Sequence, residues 1–289
     1  MSRKSHEWTV LSMLEWATEF FEKRGVASPR MSIEWLLADV LDIKRLDLYL
    51  AFDRPLSPDE LDTLRPLVKR RAKHEPLQYI TGHTTFLDVE LQVTPDVLIP
   101  RMETEQLVEI ILDNFNTAEE LTYIDIGTGS GCIPIAIQDK KNNWRAIALD
   151  KSEKALQQAR LNAKKNEVSV EFKKADILNW DRLGLNTKLD FVVSNPPYVL
   201  PGEKNELNPQ VLDYEPHEAL FCKDIDQIYN AIISFAGSCL KTDGYLFLEL
   251  NAEHAGNIAS MIEKNGDWSF QIMSDYDGKE RFIQAQKTT

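Results

Sequence analysis

The sequence predicts an α/β fold, a mostly parallel sheet with helices on both faces, preceded by a small N-terminal helical bundle. Three observations carry that prediction. From residue 122 onward, short β-forming runs alternate with amphipathic helical stretches, as in a parallel sheet buried on both faces. The first of those runs ends in an acid and passes straight into alternating glycines. The first 75 residues, by contrast, carry only helical periodicity.

In that N-terminal part, Trp8, Leu11, Leu14, Phe20 and Phe21 share one apolar face, and Gly25 ends the pattern. Ser28-Pro29 reads as an N-cap with proline in the first turn of a second helix, with Ile33, Leu36, Leu37 and Val40 turned inward. Ser57-Pro58-Asp59-Glu60 is a capping box that opens a third helix running to about His74. Residues 76–103 read as a connector, in which Tyr79, Ile80, Thr84, Thr85, Phe86, Val89, Leu91 and Val93 are β-formers around Gly82 and Asp88, so a hairpin is expected there. A helix beginning near Thr104 leads into the main domain, residues 104–289. Its strands are expected at 122–126, 145–149, 168–172, 189–193 and 245–250, with a helix over 152–165. A late pair at 270–274 and 281–284 is joined by Asp277-Gly278, a hairpin signal.

Charge restricts the partners. Residues 1–75 carry 13 basic and 13 acidic side chains, so the whole net charge of -13 lies in the remainder. Proteins that grip a nucleic acid backbone present a basic face, so no direct stable nucleic acid binding is expected. The one concentrated basic feature is Lys69, Arg70, Arg71 and Lys73, read either as cations favoured by a helix C-terminus or as a docking patch for an acidic partner. Arg3, Lys4, His6 and Glu7 do not read as a signal peptide, and no apolar run reaches membrane-spanning length. Cys132, Cys222 and Cys239 are odd in number and set in apolar surroundings, which predicts buried thiols in a reducing cytosol, no disulfide framework and no metal site. A cytoplasmic monomer without membrane contact is the expectation.

The strand 122–126 is followed by Gly127, Gly129 and Gly131, which permit a tight turn and close approach of a ligand to the backbone. A dinucleotide fingerprint would place its third glycine where Cys132 stands, which counts against a dehydrogenase. Asp125-Ile126-Gly127-Thr128-Gly129-Ser130-Gly131 instead resembles the signature loop of class I S-adenosylmethionine-dependent methyltransferases, Rossmann-like proteins with a mostly parallel sheet. That resemblance implies that the loop underlies the methionine part of the cofactor, with Asp125 orienting its ammonium group. The next strand ends at Asp150, an acceptor-only group suited to two ribose hydroxyls, or else a cap for the following helix. Asp176 resembles the acid that receives the adenine amino group, with Ile177 lining the ring. Trp180 reads either as a ring stacked on adenine or as a packing residue, the commoner role at that spacing.

The fourth strand runs into Ser194-Asn195-Pro196-Pro197-Tyr198. Methylating a planar nitrogen demands that a lone pair delocalised into a π system be made available and aimed. The Asn195 side-chain oxygen and the Pro196 carbonyl can accept the two N–H bonds, the prolines remove competing donors, and Tyr198 can pack its ring on the target. No strong base is needed at first attack, because the methyl donor is already cationic. Read alone, the tetrapeptide is also compatible with a proline-terminated strand end.

Asn-Pro-Pro-Tyr does not distinguish adenine, guanine or glutamine. Residues 76–82, Phe86, residues 97–105, residues 125–133 and Tyr214-Glu215-Pro216 occur in that order, and with the tetrapeptide they resemble the release factor glutamine methyltransferase family (HemK/PrmC type) over essentially the whole chain. The resemblance implies methylation of the side-chain amide of the glutamine in the Gly-Gly-Gln motif of peptide chain release factors. Residues 195–198 would hold the glutamine, while residues 127–131, Asp150 and Asn195 contact S-adenosylmethionine. Arg101 and Glu103 read either as a capping and salt-bridge cluster or as a lip over the cofactor cleft, with Phe86 as an apolar wall. The chain departs from the family pattern at Met102, over residues 221–226 and at Asn251. Three rival readings stand beside this one: a DNA or RNA amino-methyltransferase with the same tetrapeptide, which would need a basic surface; a non-catalytic adaptor for a translation factor; and, more remotely, the dehydrogenase.

Overall fold

A computed structural model describes residues 8–115, 118–184 and 187–289. The reading of Arg3, Lys4, His6 and Glu7 lies outside them. The described residues group into two compact units, one reaching to Gly82 and including Asn208–Tyr214, the other comprising His83–Leu207 and Glu215–Thr289.

In the first unit, helix α1 (Val10–Glu22) opens on a reciprocal cap: the Ser12 N–H donates to Thr9 Oγ1 at 3.2 Å and the Thr9 N–H to Ser12 Oγ at 2.9 Å. Helix α2 (Pro29–Leu41) starts at its proline. Ser28 stands at the cap position with φ 47° but makes no capping bond, so the fixed φ of Pro29 sets this start. Helix α3 (Pro58–Arg71) carries the expected box, with Glu60 and Ser57 exchanging bonds at 3.2 and 2.8 Å, and ends before His74, which takes φ 67°. Tyr79 and Ile80, expected to extend, instead form a short helix α4 (Leu77–Thr81), because Gly82 at φ 82° supplies its C-cap. The core joins Leu14, Phe21, Ile33, Leu36, Leu37, Leu64 and Val68.

The basic cluster does not form one patch. Arg71 is buried and donates to Ser32 Oγ (3.0 Å), to the carbonyls of Ala27 (3.1 Å) and Glu75 (2.8 Å), and to Gln210 Oε1 (2.7 Å). Arg70 pairs with Glu75. Only Lys69 and Lys73 of the four are exposed.

The second unit begins with a hairpin, β1 (His83–Phe86) and β2 (Val89–Gln92), followed by α5 (Met102–Asn114). Strand and helix then alternate: β3 (Thr122–Ile126), α6 (Cys132–Lys140), β4 (Arg145–Asp150), α7 (Glu153–Lys165), β5 (Val170–Lys174) and β6 (Leu189–Ser194). After β6 come α8 (Pro209–Tyr214), which belongs to the first unit, α9 (His217–Leu220), α10 (Ile225–Cys239), β7 (Leu240–Glu249), α11 (Ala255–Lys264), β8 (Trp268–Ser274) and β9 (Glu280–Lys287). β5 starts two residues later than expected, because Glu167 turns with φ 57° and the Val168 N–H bonds back to Ala163. β7 starts earlier than expected, but its regular pairing with β6 begins at Tyr245, beyond a bulge.

The seven strands run in the order β5-β4-β3-β6-β7-β9-β8, with β9 antiparallel to both of its neighbours and every other pairing parallel. Alternate residues serve two cores. Tyr123, Phe191, Val193 and Phe247 pack with α5 and α6, while Ile124, Ile126, Val192 and Leu248 pack with α10 and α11. The strand order reverses between β3 and β6, the place where open α/β sheets bind ligands. Register makes that edge specific. Ile126 lies beside both Leu149 and Ser194, and Ser194 beside Leu248, so Gly127, Asp150, Asn195 and Glu249 step off the C-terminal edge side by side.

Candidate active site

Backbone conformation, more than side chains, shapes the turn after β3. Gly127, Gly129 and Gly131 take φ 77°, 55° and 82°, which a side chain rarely adopts. A Cβ at Gly127 or Gly129 would meet nothing within 4 Å, so both border open space. One at Gly131 would stand 2.9 Å from Ile135 Cδ1 and 3.1 Å from Ala159 Cβ, so this glycine lets α6 pack closely on α7. The N–H groups of Gly127 and Thr128 both reach the Leu149 carbonyl at 2.9 Å, tying the loop to β4.

Asp150 braces the same loop. Its Oδ2 accepts from the Gly129 N–H at 2.9 Å and its Oδ1 from the Ser152 N–H at 2.8 Å. The cap of α7 is Ser152 itself, whose Oγ accepts from the Ala155 N–H at 3.3 Å. Each Asp150 oxygen therefore keeps a second lone pair for a ligand. Burial holds this carboxyl above the ordinary carboxylate range.

Asp125 is fully buried, and neither of its oxygens finds a donor among the described residues; the same holds for Thr128 Oγ1. Burial, followed by the neighbouring charge of Asp150, pushes the Asp125 pKa up to about 7. The Thr128 hydroxyl tempers that shift without reaching ordinary hydrogen-bond geometry. A buried carboxylate with no donor is a costly arrangement that a cation would relieve.

A cavity of about 670 Å³ opens at this edge. Its wall includes Gly127, Gly129, Asp150, Asp176, Ile177, Asn195, Pro196 and Pro197, with Leu98, Pro216, His217 and Glu218. That volume lies within the usual range for small-molecule sites. The groups match S-adenosylmethionine in kind: open glycines along which an extended chain can lie, acceptor-only carboxylates for hydroxyl and amino donors, and apolar residues for a purine, with orphaned Asp125 buried behind the wall.

Asn195 is fixed from behind. Its Nδ2 donates to Thr104 Oγ1 at 3.0 Å, and that hydroxyl donates to Glu249 Oε2 at 2.7 Å. Burial, with Glu103 nearby, raises the Glu249 pKa to about 7 against the opposing pull of Thr104, Arg281 and Asn195. Ser194 Oγ donates to the Ile126 carbonyl at 2.7 Å and locks β6 to β3 just before the tetrapeptide.

Relatives supply the deciding observation. Residues 12–82 match the family described as PrmC N-terminal domain, and residues 102–212 that described as methyltransferase small domain. A release factor glutamine methyltransferase of Geobacter sulfurreducens is 35% identical over 98% of this chain and 98% of its own. One of Bacteroides thetaiotaomicron is 37% identical over 87% of this chain and 90% of its own. The chain belongs to the release factor glutamine methyltransferase family. A methyltransferase from Pyrococcus furiosus shares the fold alone, with a TM-score of 0.50 and 18% identity over 70% of this chain and 90% of that one.

Of the residues singled out by sequence in this family member, Gly127, Gly129, Asp150, Asp176, Ile177, Asn195, Pro196 and Pro197 line one cavity. Asp125, Thr128, Ser130 and Gly131 lie off its wall, as does Tyr198, whose hydroxyl pKa burial raises to about 12. Asp176 Oδ1 accepts from the Leu178 N–H at 3.0 Å, capping a 3-10 turn. Trp180 packs against Phe235 at 6.1 Å between ring centroids. Phe86, the apolar wall of the lip alternative, is buried in the core that β3, α5 and α6 share and is not on the cavity wall. Arg101 donates to buried Glu215 at 2.6 Å and the Ile99 N–H reaches the same carboxylate at 3.2 Å, so the stretch before α5 is pinned to Glu215. Thr104, Glu249 and Glu218 escaped the sequence reading. The signal for Glu249 was present, a lone carboxylate ending the apolar run Tyr245-Leu246-Phe247-Leu248.

Proposed function

We propose that this chain transfers the methyl group of S-adenosylmethionine to the side-chain amide nitrogen of the glutamine in the Gly-Gly-Gln motif of peptide chain release factors. One observation carries the reading: Asn195, Pro196 and Pro197 share a cavity wall with Gly127, Gly129 and Asp150, in a chain of this family. The cofactor, when bound, supplies an electrophilic methyl group on a cationic sulfur.

The chain's own residues position the two partners. Gly127 and Gly129, with Thr128, Ser130 and Gly131 shaping the loop, admit the methionine part; Asp125, buried behind the loop, attracts its ammonium group, Asp150 takes the ribose hydroxyls, and Asp176 and Ile177 take the adenine. Asn195 Oδ1 accepts one glutamine N–H and the Pro196 carbonyl the other, which draws electron density onto nitrogen and aims its lone pair. Pro197 keeps the loop rigid, and Tyr198 backs the planar amide. Residues 1–75 form the part that docks the release factor, residues 76–103 the connector, and residues 104–289 the methyltransferase domain. The reading further places a monomer in the cytoplasm, independent of membrane and of stable nucleic acid binding. No helix among the described residues is long and apolar enough to cross a membrane.

Replacing Asn195 with Ala tests the assignment. Transfer to a release factor falls by at least about a hundredfold while cofactor binding survives in part. Unchanged turnover would refute the role given to the tetrapeptide.

A further inference from the structure

Asn195 sits between a cavity and a buried acid, and donor–acceptor chemistry decides which way its carboxamide faces. An ionised carboxylate only accepts, a carboxamide nitrogen only donates, and a hydroxyl owns a single proton. The Thr104 proton goes to Glu249 at 2.7 Å, so the Thr104 oxygen can take only a donor from Asn195, and Nδ2 is the group found there at 3.0 Å. Asn195 Oδ1 takes no bond among the described residues, while Asn195 itself lines the cavity. Turned over, the carboxamide would present an NH2 to a substrate NH2. Thr104 and Glu249 are both almost fully buried, which keeps water from substituting for either.

We infer that Thr104 and Glu249 are positioning residues: the acid polarises the threonine hydroxyl so that Asn195 can present only its oxygen to the target amide. The inference rests on the glutamine reading above and names what makes Asn195 selective for an NH2 donor. Protonation of Glu249 would undo the constraint. A carboxylic acid can donate to Thr104, which frees the Thr104 proton for Asn195 Oδ1 and lets the carboxamide turn. Besides Thr104 and Asn195, whose carboxamide also acts on the carboxylate directly, the titratable and charged groups facing Glu249 are Glu103 on α5, Arg281 on β9, Tyr198 after β6, Tyr229 on α10, whose hydroxyl donates to the Glu249 carbonyl at 2.9 Å, and Cys132 at the start of α6. Burial places the Glu249 titration at about 7, so the switch falls within the range of an ordinary pH profile.

The test compares Thr104→Val, Thr104→Ser, Glu249→Gln and wild-type enzyme on one release factor, with kcat read at saturating cofactor and each variant's melting temperature and S-adenosylmethionine affinity recorded. Val removes the hydroxyl at nearly constant shape. It lowers kcat on the order of a hundredfold with cofactor affinity unchanged, and Ser regains most of the loss. Wild-type kcat rises with pH through an apparent pKa near 7, and that limb is absent in Glu249→Gln, a result that a merely structural role for Glu249 does not produce. If Thr104→Val unfolds, the wild-type and Glu249→Gln profiles decide. A Thr104→Val enzyme as fast as wild type, or a Glu249→Gln enzyme that keeps the acid limb, overturns the relay alone. A wild-type enzyme that leaves the factor unmethylated overturns the function and the relay together.

Discussion

Asp150 accepts the Gly129 N–H at 2.9 Å, so the carboxylate at the end of one strand holds open the loop that follows another. The side chain is both brace and cavity wall. Replacing Asp150 with Ala therefore removes a ligand acceptor and frees the Gly129 amide at once. S-adenosylmethionine affinity falls by about tenfold to a hundredfold, against a smaller change in KM for the release factor. Calorimetric titration reads it, and an unaltered affinity would count against both roles.

The three loop glycines separate by what surrounds them. Gly131→Ala brings a methyl group against Ile135 and Ala159 at a positive φ, and costs about 1–3 kcal/mol of stability. Gly129→Ala carries the same positive-φ strain but meets no neighbour, so its packing cost is small; its methyl group enters the space at the cavity wall and weakens cofactor binding more than Gly131→Ala does. Melting curves with and without S-adenosylmethionine distinguish the two. Equal losses of affinity at both positions would contradict this division.

The pH dependence of stability has a definite sign. Asp125 rises from 3.8 to about 7 and Glu249 from 4.5 to about 7, both through burial first. Between those limits the folded protein holds protons that the unfolded chain has released, so stability falls as pH rises through the window, and the full penalty applies above about 7. Carboxyls held below their ordinary values, such as Glu34 and Asp275, contribute a constant amount above the unfolded carboxyl range and do not mask this. Without cofactor the enzyme should melt higher at about pH 6 than at about pH 8, and Asp125→Asn should reduce that difference. If Asp125 meets the cofactor's ammonium group, S-adenosylmethionine affinity should increase over the same pH interval. A melting temperature that climbs toward pH 8 contradicts the assignment.

Among the described residues, buried Arg71 donates to a hydroxyl, two carbonyls and the Gln210 amide oxygen and to no carboxylate, and burial lowers its pKa. Arg71→Ala strands those acceptors and opens a void, costing about 3 kcal/mol in denaturant unfolding. Lys69→Ala and Lys73→Ala stay within about 0.5 kcal/mol of wild type. Similar effects from all three would restore the single-patch reading of the cluster.

Local chemistry made much of this legible beforehand. The Ser57–Glu60 box, the Asp277-Gly278 turn and the β3 to glycine transition depend on neighbours in sequence, and each forms where expected. Tyr79 and Ile80 misled because β-forming side chains lost to a glycine C-cap next door. Arg71 misled because the Ala27 carbonyl and Gln210 that bury it are remote in sequence. The site divides the same way. Gly127, Asp150 and Asn195 announce themselves as strand ends, whereas Thr104 matters only because folding sets it between Asn195 and Glu249.

The most direct measurement is transfer of a labelled methyl group from S-adenosylmethionine to a purified release factor, with the product located by peptide mass spectrometry. The label should appear on the side-chain nitrogen of the Gly-Gly-Gln glutamine, and a factor with that glutamine replaced should accept none. Label on protein-free DNA or RNA under the same conditions, or on the glutamine-substituted factor, would contradict the account.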